Sequence, residues 1–378
     1  MERTVIEKAL GDAVKVQRRY LQKFTDKFKM EASTKGFYGT MENRQWATGF
    51  VTGQYWLAYE FTKEDAFRKA ALVQTTDFLH RIENRIDVDH HDMGMLYSLS
   101  CVAAYKLTGS QEGKRAALLA AENLLKRFRI KGSFFQAWGK LDAKEEYRMI
   151  IDCLLNLPLL YWASHITGDV KYARAADQHT KTAVKYLIRD DYSVHHTYFF
   201  DPESGAPLYG VTHQGYSDSS FWARGQAWAV CGLAFAYRNT KKEEYREKFH
   251  QVMEFFMEHI PEDGLPYWDL CFMDGEEPRD SSAAAIAVCG ILEMKQYCKG
   301  GLGLKYQKYA DTLLKALIEQ CAVTDPSESN GVLLHGVYQK ASPYNEITDY
   351  GVDECNCWGD YFYMEALMRC WKTWKPYW

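Results

Sequence analysis

Proline is scarce in this sequence, nine in 378 residues, and no Pro- or Gly-rich stretch divides it. The chain therefore reads as a single domain over residues 1–378. Long apolar runs are also missing. No stretch approaches the ~18 uninterrupted apolar residues of a membrane-spanning helix. The opening Met1-Glu-Arg-Thr-Val-Ile-Glu-Lys lacks the apolar centre of a secretory signal. Lys and Arg never gather into blocks; 46 of them stand against 50 Asp and Glu, a formal net charge of −4. That balance argues against a nucleic-acid or polyanion-coating surface. The ten cysteines have no framework spacing, and Cys355 and Cys357 are too close for a CxxC motif. Neither zinc nor a redox pair is expected. Free thiols in apolar segments (Cys101, Cys153, Cys231, Cys289, Cys370) fit a reducing compartment, so a cytoplasmic location is the expectation.

Hydrophobic residues make up 47% of the chain, enough for a large core and too many for disorder. Eleven Trp and 26 Tyr are many. Such rings often face sugars or other flat ligands, although any one of them can equally serve the core.

One pattern recurs. Tyr59-Glu-Phe-Thr leads into Arg68-Lys-Ala-Ala, Tyr105-Lys-Leu-Thr-Gly into Lys114-Arg-Ala-Ala, His165-Ile-Thr-Gly into Ala173-Arg-Ala-Ala, and Tyr237-Arg-Asn-Thr into Arg246-Glu-Lys-Phe. Each is an apolar helix, a Thr-centred turn carrying an acidic residue or Gly, then an amphipathic helix. Lys299-Gly-Gly-Leu-Gly makes a fifth turn with glycines. Irregular repeats of this length mean an array of helical hairpins. Periodicity predicts about twelve helices, over 4–26, 46–62, 65–83, 92–108, 112–128, 149–167, 170–188, 222–239, 242–259, 281–298, 304–322 and 357–372. Every second one is apolar nearly all round, with small residues one turn apart (Gly49/Gly53, Gly94/Ser98, Ala283/Ala287), and the others carry a charged face. Helices apolar on all sides are buried. Six buried and six outer helices in alternation describe an all-α (α/α)6 barrel, with no sheet required.

The outer-to-inner connections are long: 27–45, 84–91, 129–148, 189–221, 260–280 and 323–356. Long loops in a compact domain are usually functional. They converge where the inner helices begin, and helix N-termini there favour an anion. That rim reads Gln45-Trp46, His90-His91-Asp92, Ile151-Asp152-Cys153, Trp222-Ala-Arg224-Gly-Gln226-Ala-Trp228, Arg279-Asp280-Ser281 and Trp358-Gly-Asp360. Asp280 and Asp360 read as helix caps. Asp152 lies in the apolar run Met149-Ile-Ile-Asp-Cys-Leu-Leu-Asn-Leu-Pro-Leu-Leu, where a carboxylate needs a partner or a raised pKa. Pro158 should kink that helix or mark its first turn, leaving Asp152 at the cavity mouth. With Asp92 it supplies two carboxylates facing one cavity, the usual equipment for acid/base chemistry at a sugar.

Asp89-His-His-Asp-Met-Gly-Met-Leu-Tyr-Ser-Leu-Ser, Ile150-Ile-Asp-Cys-Leu-Leu-Asn-Leu-Pro-Leu-Leu, Gly210-Val-Thr-His-Gln-Gly, Arg224-Gly-Gln-Ala-Trp, Arg279-Asp-Ser-Ser-Ala and Trp358-Gly-Asp-Tyr-Phe-Tyr resemble the unsaturated glucuronyl hydrolases, glycoside hydrolase family 88. The resemblance covers nearly the whole chain, in the family's order, and implies the same barrel. It also implies release of the 4,5-unsaturated uronic acid that polysaccharide lyases leave at the non-reducing end of an oligosaccharide. The implied route is hydration of the C4=C5 enol ether, a proton going to C4 and water to C5, with no metal and no organic cofactor.

By motif match, Asp152 is the implied general acid/base and Asp92 the second essential carboxylate. Arg224 is the expected clamp for the uronate carboxylate, its fork suiting bidentate recognition. Trp228 is expected beside the sugar. Gly210, Thr212, His213 and Gln214 match a substrate-binding loop, and Trp46, His91, Trp138 and His196 match cavity-lining positions. In His335-Gly-Val-Tyr-Gln-Lys-Ala-Ser-Pro, Lys340 and Ser342 would offer a charge and a hydroxyl to a sulfated, glycosaminoglycan-derived sugar, a region that separates sulfate-accepting members of the family from others. The expected partner is thus an unsaturated uronate-terminated saccharide, not nucleic acid or membrane, met by a monomer or weak homo-oligomer. Two alternatives stay open: an unsaturated rhamnogalacturonyl hydrolase acting on pectin fragments, and a non-catalytic sugar-binding barrel.

Overall fold

A computed structural model describes residues 1–378. In chain order its helices are α1 (Arg3–Tyr20), α2 (Thr48–Thr62), α3 (Asp65–Glu83), α4 (Met93–Tyr97), α5 (Ala103–Thr108), α6 (Gln111–Leu125) and α7 (Leu157–Thr167). They continue with α8 (Lys171–Tyr186), α9 (Ala223–Thr240), α10 (Glu243–Glu258), α11 (Ser281–Lys295), α12 (Gly300–Ala316) and α13 (Cys357–Trp371). A π-helical turn, Ser98–Val102, joins α4 to α5 into one inner helix.

The six inner helices close a ring in which α2 packs on α4, α4 on α7, α7 on α9, α9 on α11, α11 on α13 and α13 back on α2. The outer helices α1, α3, α6, α8, α10 and α12 pack against this ring, forming the (α/α)6 barrel. Both helix classes follow from composition: α9 is buried continuously from Ala223 to Tyr237, whereas α10 buries only one face, at Tyr245, Phe249, Val252, Met253, Phe255 and Phe256.

The repeated threonines act as turn hinges. Thr62, Thr108, Thr167 and Thr240 each donate their hydroxyl to the carbonyl four residues back. Thr62, Thr167 and Thr240 also accept the N–H two residues ahead. The residue after each Thr takes a left-handed conformation, Lys63, Gly109, Gly168 and Lys241. That ends the inner helix and reverses the chain within a few residues. Glycines set the spacing of the ring elsewhere: a Cβ on Gly94 would lie 2.2 Å from Asn156 Cα, and one on Gly49 2.4 Å from the Met95 carbonyl.

The structure departs from the sequence expectation in four places. The glycines after Lys299, expected as a turn, open α12 instead. The expected helix 149–167 begins as a strand, tightens into a 3-10 turn at Ile151–Leu155, and becomes α-helical only at Leu157. Pro158 sits in that first α-turn, where its missing N–H costs nothing. The expected first helix, 4–26, ends at Tyr20. The long loops also carry sheet: β1 (Phe28–Lys29), β2 (Thr40–Met41), β3 (Phe128–Arg129), β4 (Phe134–Phe135), β5 (Arg148–Ile150), β6 (Thr197–Phe200), β7 (Pro207–Val211), β8 (Gly336–Gln339) and β9 (Tyr350–Glu354). They pair antiparallel as β1-β2, β3-β4, β5-β6-β7 and β8-β9, which satisfies loop backbone that the barrel cannot. No helix is long and apolar enough to cross a membrane.

Candidate active site

At the end where the inner helices begin, a cavity of about 230 Å³ is lined by Trp46, His91, Asp92, Trp138, Ile150, Asp152, His196, His213, Gln214, Trp222, Arg224, Trp228, Tyr338 and Gln339. Asp92 precedes α4 at the N-cap position but makes no capping bond. Its carboxylate instead meets His90 Nδ1 at 3.0 Å and accepts from Asn156 Nδ2 at 3.4 Å. Asn156 Oδ1 in turn accepts from Met95 N–H at 2.9 Å. One amide thus ties the start of α4 to the start of α7 and orients Asp92.

Asp152 lies in the 3-10 turn and keeps 20% side-chain exposure, while its Oδ1 is buried with no hydrogen-bond partner. Burial and the neighbouring Asp92 charge push its carboxyl well above the usual range; Arg224 and the local N–H groups offset this only in part. Burial also opposes the charge on Asp92, but the neighbouring histidines and the bonds from His90 and Asn156 outweigh it and hold that carboxyl low. Burial keeps His91 neutral, its pKa down to about 4, so His90 and Asn156 carry this effect. The pair is therefore unequal: its surroundings favour the protonated form of Asp152 and the anion of Asp92.

The aromatic wall is rigid. Trp46 donates its indole N–H to Tyr338 Oη at 3.0 Å and packs on Trp358 with ring centres 4.8 Å apart. His196 lies 4.1 Å from the Trp222 ring, and its Nδ1 accepts the N–H groups of both His213 and Gln214 at 3.0 Å. That fixes the proton on Nε2. Burial drives His196 far below its usual pKa, so it stays neutral.

Ten of the expected residues thus meet at one cavity: Trp46, His91, Asp92, Trp138, Asp152, His196, His213, Gln214, Arg224 and Trp228. Four stand outside its wall. Gly210 pairs with Tyr198 in the sheet, where a Cβ would meet the His195 ring at 2.5 Å. Thr212 accepts Gly215 N–H at 2.7 Å and shapes the loop that carries His213 and Gln214. Lys340 follows the wall residue Gln339, and Ser342 donates to the Tyr216 carbonyl at 2.6 Å, tying two rim loops together.

Arg224 is braced by the protein along one side of its guanidinium. Its Nη1 donates to the Val337 carbonyl and lies 3.3 Å from Asp280, and Nη2 donates to the Tyr338 carbonyl at 2.7 Å. These contacts brace β8 and take three of the five guanidinium N–H donors. Nε–H and the second Nη2–H, one edge of the fork, have no protein partner, and Arg224 brings its positive charge to the cavity wall. Asp280 does cap α11, accepting Ser282 N–H at 3.1 Å. Asp360 does not cap α13, since Asn356 takes that place. It is buried, receiving Val332 and Leu333 N–H at 2.9 and 3.0 Å.

Sequence reasoning missed Ile150, Trp222, Tyr338, Gln339 and the positioning Asn156. Trp222 and Asn156 stood inside stretches read for other residues; Tyr338 and Gln339 lay in a loop whose strand had no periodic signal.

A helical barrel whose inner-helix N-termini hold an unequal carboxylate pair behind aromatic walls defines a carbohydrate-processing hydrolase. The family profile described as Glycosyl Hydrolase Family 88 matches residues 14–369. The chain belongs to that family and is a glycoside hydrolase. It is 46% identical over 376 residues to the unsaturated chondroitin disaccharide hydrolase of Streptococcus pyogenes serotype M1, covering 99% of this chain and 93% of that one. The crystal structure of an unsaturated glucuronyl hydrolase from Streptococcus agalactiae superposes with a TM-score of 0.96 at 43% identity, covering 100% of this chain and 94% of that one. A variant of the S. agalactiae enzyme complexed with dGlcA-GalNAc6S gives 0.88 at 40% identity, with the same coverage.

Proposed function

We propose that this enzyme releases the 4,5-unsaturated uronic acid from the non-reducing end of lyase-generated, glycosaminoglycan-derived oligosaccharides. The observation that carries the mechanism is the unequal pair, Asp152 pushed toward its protonated form by burial and by Asp92, and Asp92 held toward its anion. The enol ether of an unsaturated uronate is most basic at C4, because protonation there puts positive charge on C5, where the ring oxygen shares it. Asp152 gives its proton to C4 as the π electrons form the C4–H bond. Water adds to C5 and returns a proton to Asp152. The hemiketal then opens at the C5–O5 bond, leaving a ketone at C5, and the hemiacetal at C1 expels the neighbouring sugar. One water is consumed and nothing is oxidised. Asp92 stabilises the positive charge and orients substrate, and the aromatic rings shield the cation from bulk water.

The wall residues Trp46, Trp138, His196, His213, Gln214 and Trp228 would hold the uronate, with the unpaired edge of Arg224 facing its carboxylate. His91, its ring nitrogens buried beside the two carboxylates, would line the site without gripping the sugar. Lys340, on the rim beside Gln339, would meet a sulfate on the neighbouring sugar. The relatives' names favour a glycosaminoglycan product over a pectin fragment. Ten free cysteines accord with a reducing, cytoplasmic setting.

The competing chemistry is ordinary glycosidic hydrolysis by two close carboxylates. Turnover in deuterated water should place deuterium at C4 of the released sugar. In heavy-oxygen water, with immediate reductive trapping, the label should be at C5. Label confined to C1, with none at C4, would establish direct hydrolysis instead.

A further inference from the structure

His91 is buried between the two carboxylates, with Nε2 3.3 Å from Asp92 Oδ1 and 3.6 Å from Asp152 Oδ1. Neither ring nitrogen has a hydrogen-bond partner, and neither does Asp152 Oδ1. Unpartnered buried polar atoms are rare, and three in contact call for a reason. The ring is not loose: His91 N–H donates to the Ala137 carbonyl at 2.8 Å, and Trp138 stands edge-on 6.3 Å away. The charged and titratable groups around it are His90 and Asp92 on its own segment, Asp152 and Cys153 before α7, Arg127 after α6, His179 on α8 and Arg224 on α9. Two carboxylates face Nε2 and nothing pairs with Nδ1, so the neutral ring carries its proton on Nε2.

We propose that this N–H is a positioning donor that acts through Asp152, stabilising that carboxylate at the moment it becomes an anion. Before reaction the N–H dipole acts on one negative charge, that of Asp92. Once Asp152 has passed its proton to C4, the same dipole acts on two. A neutral donor in this cleft therefore gains interaction as the reaction proceeds, which is the condition for lowering a barrier rather than merely binding substrate. Staying uncharged matters: a protonated His91 would hold both carboxylates ionised and leave no acid. The proton itself goes from Asp152 to C4 and returns from water to Asp152; His91 neither gains nor loses one.

This inference rests on Asp152 being the proton donor. The test compares His91→Gln, which can place an N–H near the Nε2 position, with His91→Asn and His91→Phe, which cannot. Steady-state kinetics on an unsaturated chondroitin disaccharide should show kcat down roughly 10- to 100-fold in the Asn and Phe variants, with KM within about threefold. The Gln variant should keep kcat within about fivefold of wild type. The alkaline limb of the kcat/KM profile, which reports loss of the Asp152 proton, should move to higher pH in the Asn variant, because the Asp152 anion has lost its donor. A raised KM at unchanged kcat would make His91 a sugar contact and overturn the proposal. Equal losses in the Gln and Asn variants with an unmoved limb would make it structural and do the same. If the Asn and Phe variants do not fold, the Gln variant decides: an unmoved limb and near-normal kcat support the donor, a large kcat loss refutes it. Failure of the underlying reading is separate, appearing as turnover by an Asp152→Asn enzyme or as absence of deuterium at C4 with wild type.

Discussion

Asp152 and Asp92 have the same side chain and opposite pKa shifts, and only their surroundings separate them. Replacing either by Asn keeps shape and removes proton transfer or charge, so each variant should lose at least about a thousandfold in kcat while remaining folded. An Asp152→Asn enzyme with a tenth of normal turnover would exclude Asp152 as the acid. The same substitution should stabilise the fold. Asp152 has a folded pKa raised by burial and by Asp92, so its stabilising contribution is complete only below the ordinary carboxylate pKa and is lost as pH rises toward the folded value. Asn has no such loss. Thermal unfolding should therefore show a higher Tm for Asp152→Asn than for wild type, by more at pH 8 than at pH 5; an equal or lower Tm at pH 8 would contradict the raised pKa. Lys340 is the rim residue to test for substrate choice. A contact with sulfate at a partly buried rim is worth roughly 1–3 kcal/mol. Lys340→Ala should then depress kcat/KM for a sulfated disaccharide by about 5- to 150-fold and leave the unsulfated one nearly unchanged; equal effects on both would make Lys340 a surface charge.

Among elements, the decisive contact is that of α4 with the start of α7. Gly94 lets the helix backbones approach until Asn156 can bond both Met95 N–H and Asp92. Gly94→Ala would set a methyl 2.2 Å from Asn156 Cα, and backbone cannot yield as a flexible side chain does. We expect it to destabilise by about 1–3 kcal/mol and to lower kcat at least tenfold by moving Asp92 relative to Asp152. Gly109→Ala is the control. Gly109 turns at φ +74 with nothing within 4 Å, at the opposite end of the barrel. It should cost about 1 kcal/mol through backbone strain alone and leave kcat unchanged. Equal kcat for the two variants at a temperature where both are folded would remove Gly94 from any role in site geometry. Gly94 was legible as a small residue on a buried helix. Its partner was not, because the contact joins residues 62 positions apart in sequence, in elements that pack only when the ring closes.

At the scale of the whole molecule, the barrel holds several histidines uncharged. Burial takes His91 down to about 4 and His179 to about 3. Each is depressed below the unfolded value of about 6.5, so the stability associated with it is present above that value and lost as pH falls. By pH 5 each should have cost about 2 kcal/mol, only partly offset by the raised Asp152. Urea unfolding should therefore show a midpoint well below the neutral value at pH 5. His179→Gln, remote from the proposed chemistry and able to keep an acceptor for Phe135 N–H, should flatten that dependence. An unchanged midpoint between pH 7 and 5 would mean these rings are protonated in the folded protein. The far end of the barrel is held by charge of another kind: Arg369 bonds Glu365 and Glu293 at 2.8 Å each, all three buried. Removing one partner strands the others and should be far more damaging than losing any surface pair.

Twelve helical periods, their alternation of all-round apolar and one-sided faces, and the threonine turns were determined by local sequence, because burial pattern and capping act over a few residues. So was the exceptional position of Asp152, a lone carboxyl in an apolar run. The strands of the rim loops were not legible, since two- to five-residue strands paired across long connections leave no period to detect. Nor were the contacts that brace Arg224, one donor of each Nη going to Val337 and Tyr338 on a strand more than a hundred residues away. Which carboxyl holds the proton was likewise decided only by tertiary structure. A pKa depends on burial and on charges within a few ångströms; His90 and His91 adjoin Asp92 in sequence, but Asn156 reaches Asp92, and His91, Asp92 and Arg224 reach Asp152, only once the helix ends are drawn to one rim.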